Sequence, residues 1–205
     1  MTRWYKEKKR EHYYKEAKKH GYRARSAFKL KQIQKRYHLL REGDTIVDLG
    51  AAPGGWSQVA SEFIGSKGFI VGIDLSYISP LPDVHFLRGD ATQKQTIEQL
   101  QEILGARDVD VVLSDMSPNI SGNYSMDHAR SIHLCTQSLQ IATQLLRENG
   151  SFVCKIFMGE LLDEFINEVS DHFTLIKRFS PPASRKSSSE IYLIAKHYKK
   201  NLYHH

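Results

Sequence analysis

The stretch VDLGAAPGGWSQ, residues 47–58, is the segment of the chain that says most about its fold. A short apolar run, Thr45–Leu49, has the composition of a buried strand. It leads into a turn of three glycines, two alanines and a proline, after which a helix begins. Glycines let the backbone come close to a ligand, and the free N–H groups at the start of a helix bind polar ligand atoms. The stretch therefore predicts a binding site for a nucleotide-like ligand.

Strand-like and helical runs alternate along the chain. Strands are predicted over about 45–49, 69–74, 84–87, 109–116, 151–157, 173–179 and 190–197, and helices over about 4–19, 23–37, 56–64, 93–104, 125–147 and 160–170. This alternation predicts an α/β fold with a mainly parallel sheet covered on both faces. Only the loop SPPASRKSSS (180–189) separates the last two strands, so we expect them to pair antiparallel at one edge. Gly150 is expected to end the longest helix.

Composition and length narrow the class of protein. The 205 residues are 40% apolar and 25% charged, as in a globular protein with one core. We expect a single domain over residues 1–205, with a basic helical extension over about 1–41. No apolar run approaches the roughly 20 residues that span a bilayer, and the N-terminus lacks a signal-peptide core. We therefore expect a cytoplasmic protein. Cys135, Cys154 and the histidines show no disulfide or metal-ligand spacing, so no metal is expected.

Charge is distributed unevenly along the chain. Residues 1–41 hold 15 Lys/Arg and 3 Glu, residues 42–176 hold 7 basic and 19 acidic residues, and residues 177–205 hold 7 basic residues and one acid. Aromatic residues are interleaved with the N-terminal charge, a mixture that suits RNA, whose phosphates attract cations and whose bases stack. We expect RNA to bind across residues 1–41 and 185–200, and the predicted contacts are Arg23, Arg25, Arg185 and Lys186.

Two aspartates refine the identity of the nucleotide-like ligand. Asp74 ends the strand that follows the glycine turn, where a carboxylate can accept hydrogen bonds from ribose hydroxyls. Asp90 ends the next strand, within reach of an adenine amino group. NAD would need room for its pyrophosphate, but Ala52 replaces the second glycine of the G-x-G-x-x-G pattern, and Pro53, which follows it, crowds that approach and removes a donor. S-adenosylmethionine has no phosphate, and its ammonium group favours nearby acids such as Asp48. We therefore predict S-adenosylmethionine.

The sequence resembles the RrmJ/FtsJ family of ribose 2′-O-methyltransferases, from about Tyr13 to Ala195. The matching motifs are GYRARSAFKL (21–30), VDLGAAPGGWSQ (47–58), GID (72–74), RGD (88–90), LSDMSPNISG (113–122), GSFVCKIFMGE (150–160) and SRKSSSEIYLIA (184–195). The resemblance implies a class I, Rossmann-like methyltransferase sheet of seven strands with the last antiparallel. It also implies transfer of a methyl group from S-adenosylmethionine to an RNA ribose. The cofactor-binding residues that we predict are Gly50, Gly54, Trp56, Asp74, Asp90 and Asp115.

The same resemblance implies a catalytic tetrad of Lys29, Asp115, Lys155 and Glu190. The residue pattern supports two of the four independently. Lys155 lies in an otherwise apolar strand, where a lysine is costly unless it has partners, and Asp115 ends a neighbouring strand. We expect Lys155 to act as general base and Asp115 to orient it. Lys29 and Glu190 are expected to hold the nucleotide and balance the charge.

The expected substrate is a uridine ribose in large-subunit ribosomal RNA, presented by ribosomal particles to a monomeric enzyme. A tRNA anticodon loop is the rival substrate, because the segment HYYKEAKKHGYRARSAFKL (12–30) is closer to the archaeal and eukaryotic branches of the family. Two other classes stay open. One is a non-catalytic RNA-binding assembly factor, but the presence of the complete tetrad argues against it. The other is an NAD-dependent oxidoreductase, but the absence of the G-x-G-x-x-G pattern argues against it.

Overall fold

The computed structural model describes residues 12–184 and 189–200. Seven strands form one sheet in the order β3-β2-β1-β4-β5-β7-β6. Their bounds are β1 Thr45–Leu49, β2 Phe69–Asp74, β3 Val84–Arg88, β4 Val109–Ser114, β5 Leu146–Phe157, β6 Phe173–Phe179 and β7 Glu190–Tyr198. The predicted α/β fold with seven strands is confirmed.

Helices cover both faces of the sheet. Their described bounds are α1 12–19, α2 Ala27–Tyr37, α3 Gly55–Ile64, α4 Lys94–Leu104, α5 Tyr124–Leu145 and α6 Leu162–His172, with a 3₁₀ turn at Gly65–Lys67. Residues 4–11 of the first predicted helix lie outside the described residues. No helix among the described residues is long and apolar enough to cross a membrane.

The prediction that Gly150 ends the longest helix is wrong. Helix α5 ends at Leu145, and β5 begins at once because Leu146 pairs with Val109 of β4. The register between these strands then shifts before Ser151. Gly150 lies in this irregular part of β5, where a Cβ would come within 2.9 Å of the Arg147 carbonyl oxygen. Pairing with β4, rather than a glycine, therefore ends the helix.

The last two strands confirm the predicted antiparallel pair. β6 pairs antiparallel with β7, and β7 also pairs antiparallel with β5, whereas the remaining pairs are parallel. The chain returns from β6 without a crossover helix, which leaves the antiparallel direction as the one it can take. β7 thereby lies between β5 and the edge strand β6.

Two core layers separate the helices by face. One layer packs α4, α5 and α6 against the sheet and includes Leu100, Leu139 and Phe165. The other packs α2 and α3 against the opposite face and includes Leu30 and Val59. Because side chains alternate along a strand, this division decides which residues of β5 face which helices.

Strand β5 shows the alternation directly. Phe152, Cys154 and Ile156 belong to the layer of α4, α5 and α6, and Val153 belongs to the layer of α2 and α3. Lys155 follows the same alternation and therefore faces α2, the helix that carries Lys29. The lone lysine of the apolar strand is thus placed opposite the basic N-terminal part of the chain.

Helix α2 begins four residues later than predicted. Residues 21–26 instead form a loop along α3, because side chains of that helix use the loop's backbone groups. Gln58 Oε1 accepts a hydrogen bond from Arg23 N at 2.8 Å, and Gln58 Nε2 donates to Gly21 O at 3.0 Å. Trp56 Nε1 donates to Ser26 O at 3.0 Å. These backbone groups satisfy their hydrogen bonds outside a helix.

Candidate active site

The carboxyl ends of β1, β2, β3 and β4 open onto a cavity of about 370 Å³. This is the end of a parallel sheet at which α/β proteins bind their ligands. The turn after β1 contributes Gly50 and Ala52, and a carboxylate stands at the end of each of the next three strands. The cavity is lined by Gly50, Ala52, Ile73, Asp74, Leu75, Ser76, Gly89, Asp90, Ala91, Thr92, Asp115, Met116, Ser117 and Leu134.

The first two carboxylates are held by hydrogen bonds from the loops around them. Asp74 accepts hydrogen bonds from Ala52 N at 3.0 Å and Ser76 N at 2.8 Å, so it joins the glycine turn to the loop after β2. Asp90 accepts from both the N–H and the hydroxyl of Thr92, at 2.9 and 2.8 Å. These bonds from Thr92 lower the pKa of Asp90, which keeps it an acceptor near neutral pH.

The charges of the cavity fit S-adenosylmethionine. Asp74, Asp90 and Asp115 line it, and no lysine or arginine does so among the described residues. A sulfonium and an ammonium group are attracted to carboxylates, whereas a pyrophosphate would be repelled.

The glycine turn packs closely against the loop after β4. At Gly50 a Cβ would lie 2.7 Å from Met116 Cγ, so only glycine allows the turn to pack this closely. Across the part of the chain described, no cluster of His, Cys, Asp or Glu could hold a metal ion.

Two of the predicted cofactor residues do not line the cavity. Gly54 precedes α3 with a φ of 105°, a conformation that favours glycine. The Trp56 ring is buried, packs 5.5 Å from the ring of Tyr192, and turns its N–H to Ser26. Trp56 is the second residue of α3, where a backbone N–H has no partner within the helix, so this N–H is the group of Trp56 that a ligand could use. The cofactor contacts of Gly54 and Trp56 stay predictions.

Asp48 lies beneath the turn rather than on the cavity wall. Its Oδ2 accepts a hydrogen bond from the Ser57 hydroxyl at 2.7 Å, and its Oδ1 has no partner among the described residues. Complete burial, together with the negative charges of Asp115 and Asp74, raises the pKa of Asp48 to about 7. Asp48 therefore does not line the cavity, and its carboxylate is not placed for direct contact with the cofactor ammonium.

The four residues of the predicted tetrad come together beside the cavity. Lys155 Nζ donates to the Asp115 backbone oxygen at 2.6 Å and lies 3.1 Å from Asp115 Oδ1. Lys29 Nζ forms an ion pair with Glu190 Oε1, which also accepts from the Ser184 hydroxyl at 3.2 Å. Both lysines are nearly buried, with 8% of Lys155 and 9% of Lys29 exposed.

Electrostatics keep Glu190 ionised. Its burial acts to raise the pKa, but the charge and hydrogen bond of Lys29, the charge of Lys155 and the hydroxyl of Ser184 outweigh burial. The pKa of Glu190 is therefore below its usual value. A carboxylate in this state can balance the charge of Lys29 at neutral pH.

Tyr192 joins this cluster, although the sequence did not predict it. Its hydroxyl donates to Asp115 Oδ1 at 2.7 Å, and its ring lies 5.6 Å from Lys29 Nζ. Burial and the charges of Asp115 and Glu190 raise its pKa well above the usual value, so the phenol stays a hydrogen-bond donor. The available signal was the spacing from Glu190, since residues two apart on a strand share a face.

The predicted RNA contacts fall into two groups. Arg185 and Lys186 lie outside the described residues. Arg23 is half-buried, and its guanidinium donates to the backbone oxygens of Pro53, Ser79 and Pro80. Arg25 is half-buried in the same loop. RNA binding by these four residues stays a prediction.

A family model described as FtsJ-like methyltransferase matches residues 22–198, which include the whole cavity and the lysine–carboxylate cluster. The chain belongs to this family. The predicted family, fold class and methyl donor are thereby confirmed: this FtsJ-like protein is a methyltransferase that uses S-adenosylmethionine.

Several known proteins are similar to this FtsJ-like chain. Ribosomal RNA large subunit methyltransferase E of Halorubrum lacusprofundi is 52% identical over 189 residues, which cover 91% of this chain and 70% of the relative. The protein of the same name from Acinetobacter baylyi is 46% identical over 199 residues, covering 97% and 92%. A Plasmodium falciparum crystal structure, described as a ribosomal RNA methyltransferase, has a TM-score of 0.79 at 29% identity and covers 86% and 98%.

Replacing Asp74 with alanine should weaken cofactor binding to this FtsJ-like enzyme. We expect the Kd for S-adenosylmethionine to rise about tenfold to a hundredfold, because hydrogen bonds to a charged group are lost on a cavity wall. Calorimetric titration with S-adenosylmethionine measures the change. Asp108→Ala is the matched control, since Asp108 is exposed at the opposite end of the sheet. Unchanged affinity in Asp74→Ala would contradict the placement of the adenosine ribose.

Proposed function

We propose that this enzyme methylates the 2′-hydroxyl of a uridine ribose in the ribosomal RNA of the large subunit. The observation that carries the proposal is the pairing of Lys155 with Asp115 at the edge of the cofactor cavity. The pair of Lys29 and Glu190 lies beside it and joins α2 to β7. The names of the relatives supply the class of RNA.

Lys155 is placed to take a proton. A ribose hydroxyl is a weak nucleophile at neutral pH, so a base must accept its proton as the new bond forms. Lys155 Nζ donates to the Asp115 backbone oxygen at 2.6 Å and lies 3.1 Å from Asp115 Oδ1, so two contacts orient the amine. A deprotonated amine held in this orientation would accept the hydroxyl proton through its lone pair.

Asp115 positions the base and forms part of the cavity wall. Its Oδ1 forms an ion pair with Lys155 Nζ and accepts a hydrogen bond from the Tyr192 hydroxyl, and these contacts fix the carboxylate from two sides. S-adenosylmethionine, when bound, supplies an electrophilic methyl group. Orientation of well-aligned reactants lowers barriers by up to about 7–11 kcal/mol, so rigid placement of Asp115 and Lys155 contributes directly to rate.

Lys29 and Glu190 connect the reaction centre to the RNA-binding side. Lys29 stands on α2, within the basic segment of residues 1–41. Its charge is balanced by ionised Glu190, which also lies close enough to Lys155 to feel its charge. Of the charged residues of α2, Lys29 is the one that is buried in the cluster with Glu190, so it is the one placed to contact a nucleotide that enters the site. The pair thus suits the holding of the target nucleotide.

The substrate is proposed to be an assembled large ribosomal particle rather than free RNA. Folded RNA is recognised largely by shape and by splayed bases, and a chain with basic termini suits that mode of contact. We propose a monomer that works in the cytoplasm, where it meets these particles.

Labelled methyl donor tests the substrate. Incubation of the enzyme with methyl-labelled S-adenosylmethionine and either large ribosomal subunits or total tRNA should place label in the RNA of the subunits. A 2′-O-methyl group makes the adjacent phosphodiester bond resistant to alkaline hydrolysis. Mapping of the bond that survives alkali should then locate the label on a uridine 2′-oxygen. Lys155→Ala serves as the inactive control. Label in tRNA with none in the subunits would favour the anticodon-loop substrate and overturn the ribosomal assignment.

A further inference from the structure

Arg23 holds two loops together outside the cofactor cavity. Its Nη1 donates to Pro53 O at 3.2 Å and to Ser79 O at 2.5 Å, and its Nη2 donates to Pro80 O at 2.7 Å. The acceptors are backbone carbonyls in irregular loops, which have no strand or helix partner of their own. A guanidinium supplies several donors in a fixed plane, so one side chain can satisfy all three.

The two loops are walls of the cofactor cavity. Pro53 follows Ala52 in the glycine turn, and Ser79 lies three residues beyond Ser76 in the loop after β2. Asp74 joins the same two loops from inside, through Ala52 N and Ser76 N. The loops are therefore connected at two points, and Arg23 supplies the connection on the outer side.

Arg23 itself is held in place by the neighbouring helix. Its backbone N–H donates to Gln58 Oε1 at 2.8 Å, and Gln58 Nε2 returns to Gly21 O at 3.0 Å. Its side chain packs so closely on Gly54 that an added Cβ would lie 3.0 Å from Nη1. Because Arg23 is held both at its backbone and at its guanidinium, the guanidinium has little freedom to turn towards a phosphate.

We propose that Arg23 is a positioning residue for cofactor binding, rather than a contact for RNA phosphate. It sets the distance between the glycine turn and the loop after β2, and so preorganises the carboxylate Asp74 that faces the ligand. The inference rests on the use of S-adenosylmethionine by this family and not on which RNA is methylated.

Cofactor titration of three variants tests the proposal. Arg23→Ala should raise the Kd for S-adenosylmethionine about tenfold, through loss of charge-assisted hydrogen bonds. Arg23→Lys should give a smaller rise of about threefold, because an ammonium cannot span both loops. Arg178→Ala is the matched control, since Arg178 is exposed on β6 and pairs with Asp163. We expect this control to bind the cofactor normally.

Three further measurements separate positioning from other roles. At saturating S-adenosylmethionine, the kcat of Arg23→Ala should stay near that of the wild type, and its affinity for total ribosomal RNA without cofactor should be unchanged. Lower RNA affinity with a shallower salt dependence and normal cofactor Kd would identify a phosphate contact and overturn the proposal. A lower free energy of unfolding with unchanged cofactor Kd would also overturn it. Calorimetry needs no RNA, so the result is independent of the ribosomal substrate.

Discussion

Replacement of Lys155 with alanine is expected to lower the rate of methyl transfer by about a thousandfold or more, the loss typical of a removed general base. The Kd for S-adenosylmethionine should stay within a few-fold of the wild-type value, because Lys155 does not line the cofactor cavity. Single-turnover transfer of labelled methyl groups to saturating RNA measures the rate, and calorimetry measures the Kd.

Two comparisons make the Lys155 result specific. Lys177→Ala removes a lysine from the exposed edge strand β6 and should leave the rate unchanged. Tyr192→Phe keeps the ring but removes the hydroxyl that contacts Asp115, and we expect an intermediate loss of rate. If Lys155→Ala retained near-normal turnover at saturating RNA and cofactor, the proton would have to leave by another route.

The second large effect concerns stability and pH, at Asp48. Burial raises the pKa of its carboxyl to about 7 in the folded protein, against roughly 3.9 in an unfolded chain. Between these values the unfolded state releases a proton that the folded state keeps, so stability falls as the pH rises from about 4 to about 7. Above that range the full penalty, on the order of 4 kcal/mol, is present.

Asp48→Asn should remove this dependence. The amide oxygen can still accept from the Ser57 hydroxyl, but the side chain cannot ionise. Urea unfolding at pH 4.5 and pH 8.5 should show the variant gaining stability over the wild type at the higher pH. Asp108→Asn, at an exposed position, provides the control. If the stability difference between Asp48→Asn and the wild type were equal at both pH values, Asp48 would not be protonated in the folded protein near neutral pH.

The strands that the sequence predicts best are short runs rich in apolar and β-branched residues. Thr45–Leu49, Phe69–Asp74 and Phe173–Phe179 have the predicted bounds. The least accurate boundary is the start of β5, predicted at 151 and found at Leu146, because pairing of Leu146 with β4 is a long-range contact with no local signature. Local patterns thus predicted the elements, whereas tertiary pairing set where some of them stop.

The residues of the candidate site also include some that the sequence could predict and some that it could not. The convergence of Lys155 and Asp115 was predictable, since a lysine in an apolar strand needs a partner and strand ends meet at one edge. Tyr192 escaped prediction because an aromatic residue in a strand is typical of a core. The contacts of Arg23 could not be predicted, because backbone carbonyls carry no sequence signal. The charge of Arg23 suggested a phosphate ligand, whereas in the folded protein its acceptors are the three backbone carbonyls.

The position of β7 between β5 and β6 makes the reaction centre depend on the last strand of the chain. The residues that line the cofactor cavity end at Leu134, whereas Glu190 and Tyr192 are on the last strand of the sheet. The last strand of the chain therefore supplies the partners of Lys29 and Asp115, far along the sequence from the residues that line the cavity. The lysine–carboxylate cluster is complete only when β7 is paired beside β5, so a change that displaces β7 would affect methyl transfer through Glu190 and Tyr192.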